Sequence, residues 1–181
     1  MRYLNIIGTI NDNLIKETTE KLLQWEQEDI RILEYNSKYL NEEDKTNLED
    51  ITINITTNGG SCYGFFTFVG ILERMKCKII TIANGRCYSC GIPLFLMGDE
   101  RYSNKYCDFM IHGASASFGY DYLKNTENDL STFKNQDERI DNYIINKTNI
   151  TQEQLDKSKL QCWWFGYDEA IKLGVVNKPL S

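Results

Sequence analysis

The chain has 181 residues, 41% hydrophobic and 12% aromatic, which suits one full core and excludes a disordered chain. Its net charge of −6, from 26 acidic and 20 basic side chains, argues against nucleic acid as a partner, because a phosphate-binding face needs surplus Lys and Arg. No apolar run approaches the roughly 20 residues of a membrane span, Met1–Gly8 is too short and too soon interrupted for a signal peptide, and the cysteines lie among apolar or strand-like residues, so a reduced, cytoplasmic setting is expected.

Tyr3–Ile7 alternates weakly and reads as a first strand closed by Gly8. Asp12 or Asn13 caps a helix whose apolar positions Leu14, Ile15, Leu22, Leu23 and Trp25 recur at helical spacing. From Glu26 that pattern is lost: Asp29–Tyr35 reads as a short strand, and the charged, Asn-rich Asn36–Glu49 as a surface insertion. Ile51–Thr56 alternates β-branched and polar residues, a strong strand signal, and ends at Thr57-Asn58-Gly59-Gly60, where Ser61 opens the helix Cys62–Met75. Lys78–Ala83 is the next strand; it runs into the turn Asn84–Gly91 and an apolar helix over Ser89–Met97. Glu100–Ser103 and Cys107–Ile111 read as two short strands around a turn at Asn104-Lys105. Gly119–Lys147 is long and polar, with a sparse apolar stripe (Leu123, Leu130, Phe133, Ile140, Tyr143, Ile144) that suits a helix projecting from the domain onto a partner. Gln152–Leu160 and Tyr167–Leu173 are further helices, the second stopped by Gly174 before a strand at Val175-Val176. Alternating strands and helices over 1–181 predict a single α/β domain without internal repeats.

Three pieces of this pattern carry chemistry. Ser89 sits where a buried strand turns sharply into a helix, so its hydroxyl stands clear beside unpaired backbone N–H groups. His112, the chain's single histidine, ends an apolar strand, and Gly59-Gly60 lie where a strand gives way to a helix. A serine hydrolase needs a hydroxyl, an imidazole to take its proton, and N–H donors for the oxyanion. All three pieces fall at C-terminal strand ends, the edge where α/β sheets place their sites. Each alone has an ordinary reading, as a helix cap, a satisfied histidine and a tight turn. Cys87 and Cys90 form a C-x-x-C, but a zinc site wants a second pair or several histidines, so no metal and no cofactor are expected.

The order of the motifs also carries a resemblance. Ile53–Ser61 resembles the strand and Gly-Gly turn of the Clp protease proteolytic subunit (ClpP) family. Gly85-Arg86-Cys87-Tyr88-Ser89-Cys90-Gly91 resembles that family's nucleophile turn, usually Gly-x-Ala-Ser-Met-Gly, and Met110-Ile111-His112 its histidine strand. Trp164–Asn177 resembles its closing segment; together the match covers about residues 3 to 177, with 36–49 unmatched. The resemblance implies a ClpP/crotonase-like spiral of β-β-α units, with 119–147 as the projecting handle helix. It also implies a serine endopeptidase that cuts unfolded polypeptides inside a homo-oligomeric chamber, a heptameric ring or double ring. Carried over by position, Ser89 is the nucleophile, His112 the general base, and the N–H groups of Gly60 and Cys90 the oxyanion donors. Gly59, Gly60 and Ser61 pair with the substrate backbone as an added strand.

This chain departs from the family pattern at two places. The triad aspartate falls on Ser158, which brings no charge to an imidazolium; Asp156 is the chemical alternative, but two helical positions away means roughly 200° of rotation. The family's segment ahead of the first strand, which lines the axial pore and meets an AAA+ unfoldase, has no counterpart before Tyr3, which argues against an unfoldase partner. A compact member of this kind resembles the phage-encoded forms, some of which mature capsids. The rival readings are a catalytically weakened or inactive ring subunit and, less favoured, an acyl-CoA enzyme of the crotonase group.

Overall fold

The computed structural model describes residues 2–114 and 123–179. Within them a seven-stranded sheet runs β1 (Arg2–Ile10), β2 (Ile51–Gly60), β3 (Ile79–Tyr88), β4 (Glu100–Ser103), with two further branches at its far side. The end of β3 pairs with β5 (Asp108–Ile111), which pairs with β6 (Trp163–Phe165), and β4 pairs with β7 (Lys178–Pro179). All pairings are parallel except β5 with β6. The alternation in Ile51-Thr52-Ile53-Asn54-Ile55 is what faces Ile51, Ile53 and Ile55 inward, each buried to within 1%. This is the expected α/β class.

β3 serves two neighbours in succession, and that geometry makes the site. Ile80–Ala83 pair with Glu100–Ser103 of β4, whereas Arg86–Tyr88 pair with Asp108–Met110 of β5. Between the two sets lies Gly85 at φ 76°, a left-handed kink that glycine enters at little cost. The sequence pattern ends the strand at Ala83 because the apolar alternation stops there. The ladder instead continues to Tyr88, with a register shift against β2 between Ile55 and Thr57.

Helix α1 (Asp12–Tyr39) overturns the expected strand at Asp29–Tyr35 and the break at Glu26. It is capped by Asn11, whose side chain accepts from the Leu14 N–H. Its inward positions are Thr18, Leu22, Asp29 and Asn36, spaced by four or seven residues along one face. Three of these are polar, which apolar periodicity cannot register: Thr18 donates to the Leu14 carbonyl of its own helix, and the other two have partners outside it. Asp29 receives Arg2 of β1 at 2.6 Å, and Asn36 brackets Thr46 with two hydrogen bonds of 2.7 and 3.1 Å. Asn36–Tyr39 is thus the last turn of α1, followed by a short 3-10 turn at Glu42–Asp44.

Helices α2 (Cys62–Leu72) and α3 (Gly91–Phe95) follow β2 and β3, somewhat shorter than their apolar runs suggest. Helix α4 (Leu123–Lys147) is the long one; the expected positions 119–122 lie outside the described residues. Its second half is fastened to the body by Ile144, which is buried, and by Tyr143, edge-on to Phe65 at 5.1 Å. Residues 127–132 are exposed. Helix α5 (Gln152–Leu160) opens with a reciprocal capping box between Thr151 and Gln154, and α6 (Tyr167–Lys172) closes at Gly174, φ 70°. Val175 and Val176 are buried but form no strand: both N–H groups donate back to the Ala170 carbonyl, wrapping the end of α6. β7 comes two residues later. Among the described residues no helix is long and apolar enough to cross a membrane.

Candidate active site

The C-terminal ends of β2, β3 and β5 open onto one cavity of about 90 Å³. Gly60 comes to it from β2, Ser89 and Cys90 from the turn after β3, His112 from the loop after β5, and Ser158 from α5. Residues far apart in the chain therefore share one small space.

Ser89 adopts φ 54°, the sole left-handed non-glycine residue among the described residues. A side chain in that region costs on the order of 1–2 kcal/mol, so its surroundings must hold it there. The Ser89 N–H donates to the Met110 carbonyl at 2.8 Å, and the Ser89 carbonyl accepts from the Ile92 N–H at 2.9 Å. Gly59, itself at φ 93°, presses against the turn: a Cβ at that position would stand 2.6 Å from Ser89 Cβ and 2.9 Å from the Tyr88 carbonyl oxygen. The second glycine of the pair, at φ 142°, is packed equally closely on the backbone of Ile10. These are the reasons the sequence needs Gly-Gly here. The Cys90 N–H, next along from Ser89, has no acceptor among the described residues and is available to an anionic oxygen. The ladder between β2 and β3 ends at Thr57 opposite Cys87, so Gly59-Gly60 run on beside the cavity beyond their last β3 partner.

His112 reaches the same space by the same ladder. Tyr88 pairs with Met110, and the chain beyond each strand end, at Ser89 and at His112, lines the cavity. His112 is half-buried, and Gly113 behind it lies against α5, where a Cβ would stand 3.2 Å from Lys159 Cα. Neither the imidazole nor the Ser89 hydroxyl has a hydrogen-bond partner among the described residues. Proton-transfer contacts of this kind are often long until substrate binds.

Of the two candidates for the group behind His112, Ser158 is buried, at 3% exposure, and lines the cavity. Its hydroxyl donates to the Leu155 carbonyl at 2.7 Å. With the proton committed there, only lone pairs are left to face an imidazole N–H. Asp156 is exposed and its Oδ1 accepts from Gln152 Nε2 at 2.9 Å; it is not among the cavity residues.

Sequence reasoning missed the four other cavity residues with ionisable side chains: Cys62, Asp137, Asp141 and Lys159. Lys159 Nζ lies 2.7 Å from Asp137 Oδ2 and 2.5 Å from Asp141 Oδ2, joining α5 to α4 across the rim. Burial pulls the Lys159 pKa down, but the two carboxylates outweigh it and leave it raised, so the lysine stays charged. On a surface helix, Asp137 and Asp141 read as solvated charge. Their four-residue spacing, which puts both on one helix face, was the available signal.

A left-handed serine, a histidine one strand away and a glycine turn at the carboxyl edge of a parallel sheet make the parts of a serine hydrolase. The comparisons with known proteins narrow that class. The Clp protease family model matches residues 34–180. The ATP-dependent Clp protease proteolytic subunit 2 of Bacillus licheniformis is 26% identical over 185 aligned positions, spanning 99% of this chain and 86% of that protein. Among solved structures, a mutant of ClpP1 from Listeria monocytogenes superposes with a TM-score of 0.78, covering 99% of this chain and 91% of that one at 23% identity, a likeness of fold. The chain belongs to the Clp protease family, and is a ClpP-like serine-type endopeptidase.

Proposed function

We propose that Ser89 is the nucleophile and His112 its general base, with Ser158 holding the imidazole and the N–H groups of Gly60 and Cys90 receiving the oxyanion. His112 takes the Ser89 proton as Oγ attacks the scissile carbonyl; the tetrahedral oxyanion collapses as the imidazolium gives that proton to the leaving amine. Water then attacks the acyl-serine with His112 again as base. The substrate backbone lies along Gly59-Gly60-Ser61 as an added strand, on the side where β3 has left β2. The single observation that carries the reading is Ser89 at φ 54°, wedged between Gly59 and Met110 on the wall of a cavity that also contains His112.

Family members assemble into oligomeric rings and degrade polypeptides. The finer proposal for this chain is a ring of seven copies, single or stacked through α4, working in the cytoplasm on unfolded chains. The exposed Tyr3 and Ile7 on β1 and Ile30 and Leu33 on α1 support burial against neighbouring copies. The test is degradation of an unfolded protein such as casein by the assembled wild-type protein beside Ser89→Ala, with particle mass read by light scattering. The reading expects casein loss from the wild type alone; equal loss from both proteins would reject Ser89 as the nucleophile.

A further inference from the structure

The cavity contains a pair of thiols that the hydrolytic reaction does not use. Cys62, in the first turn of α2, and Cys90, directly after Ser89, face each other with their Sγ atoms 3.1 Å apart. Both line the cavity. The pair is not the C-x-x-C of the sequence: Cys87 is buried in the core under the turn, and the partner of Cys90 comes from a different helix.

We propose that Cys62 and Cys90 are a reversible oxidation site, joined by peroxide-class oxidants into a disulfide that turns off Ser89. The gating half of this rests on Ser89 as nucleophile; the cross-link does not.

Three observations carry it. The sulfurs need approach by only about 1 Å to reach the ~2.05 Å of a disulfide bond. The two thiols are also unlike in a useful way. The hydrogen bond between them lowers the pKa of the Cys62 thiol, outweighing burial and the nearby Asp137, while that same bond and burial raise Cys90. Cys62 is therefore the more acidic thiol of the pair and, being only half-buried, the one a small oxidant reaches. Finally, each cysteine sits beside one proposed oxyanion donor. Cys62 is two residues from Gly60, and the backbone N–H of Cys90 is itself the other donor.

The chemistry balances. Cys62 thiolate attacks one peroxide oxygen; the O–O bond breaks, leaving a sulfenic acid on Cys62 and hydroxide, which is protonated to water. Cys90 sulfur then attacks the Cys62 sulfur, the S–O bond breaks, water departs, and the S–S bond remains. Two thiols lose two protons and two electrons, and one peroxide becomes two waters. A dithiol reductant reverses it by exchange. Drawing Cys90 toward Cys62 displaces a turn whose serine is already in a strained, closely packed conformation, and a misplacement of about 1 Å at a reacting centre costs about 10²-fold.

The test treats the full-length protein with hydrogen peroxide. Disulfides are mapped by mass spectrometry of unreduced peptides, and Ser89 is followed by fluorophosphonate labelling before oxidation, after it, and after dithiothreitol. Expected are a peptide pair joining Cys62 to Cys90, a fall of about tenfold or more in labelling rate, and recovery on reduction. Cys62→Ser and Cys90→Ser, each measured against its own unoxidised rate, should lose the fall. Cys162→Ser, which alters the exposed thiol outside the cavity, should keep it. Oxidation that leaves both cavity thiols free to alkylate overturns the site. A formed Cys62–Cys90 bond with labelling unchanged overturns the gating. Absence of Ser89 labelling in the reduced protein would count against the proposed nucleophile instead, and the peptide map would still decide the thiol pair.

Discussion

Around Ser89 the backbone is fixed from every side: Met110 takes its N–H, Ile92 caps its carbonyl, and Gly59 fills the space behind it. Around His112 the fixing is indirect. The imidazole has no partner among the described residues; of the side chains that line the same cavity, Ser158 donates its hydroxyl to the Leu155 carbonyl, and Asp137 and Asp141 are bound to Lys159. One half of the site is thus pre-formed by backbone, and the other is held by side chains from α4 and α5. The difference teaches where function is sensitive. Changes on the serine side should act steeply, and changes behind the histidine should act in small steps.

The steepest expected effects are Ser89→Ala and His112→Ala, each lowering peptide hydrolysis by about 10⁴-fold or more, since members of such a pair act as a unit. Steady-state cleavage of a fluorogenic peptide measures it; comparable residual activity in both, with a double variant no worse, is the signature of the unit. Next comes Gly59→Ala, which sets a Cβ 2.6 Å from that of Ser89 at a φ of 93°. It should cost about 10²-fold in kcat with the particle still assembled by light scattering. An active Gly59→Ala would mean that the serine turn is less closely fixed than its contacts require.

The histidine side should answer more mildly. Ser158→Ala is expected to lower kcat about tenfold, because it removes a neutral acceptor and not a charge, and Ser158→Asp to raise it by a similar factor. The pH–rate profile separates orientation from packing: a carboxylate at 158 should move the acidic limb, where His112 loses its proton to become the base, to higher pH, as a nearby negative charge favours imidazolium. An unchanged profile would place Ser158 outside the histidine's reach. Smallest for the site, but largest for stability, is Asp29→Ala in α1. It takes the 2.6 Å partner from buried Arg2, which keeps Glu28 at 3.2 Å, and should cost about 2 kcal/mol in urea unfolding, with little change in the cavity.

Much of this is legible in the amino-acid sequence. Ile51-Thr52-Ile53-Asn54-Ile55 could only be a half-buried strand, and the sharp turn at Ser89, the end of the strand before His112 and Gly59-Gly60 all marked the edge where the cavity lies. What stayed hidden was polar or short. The second half of α1 has Asp29 and Asn36 on its inner face, so apolar periodicity broke where the helix did not. β6 spans only Trp163–Phe165, too few residues to show a period; Phe165 is set by stacking on Phe109 at 5.5 Å. In the site, Asp137, Asp141 and Lys159 looked like solvated helix charges, and Cys62 looked like one more apolar position. Their roles depend on α2, α4 and α5 converging, which no local pattern encodes.

The central claim is that the strained turn after β3 presents a working nucleophile. The most direct measurement is a fluorophosphonate adduct mapped to a single peptide by mass spectrometry in the wild-type protein and in His112→Ala. Modification is expected at Ser89, slowed at least about 10²-fold when His112 is removed. Modification at another serine, or a Ser89 adduct whose rate ignores His112, would contradict it.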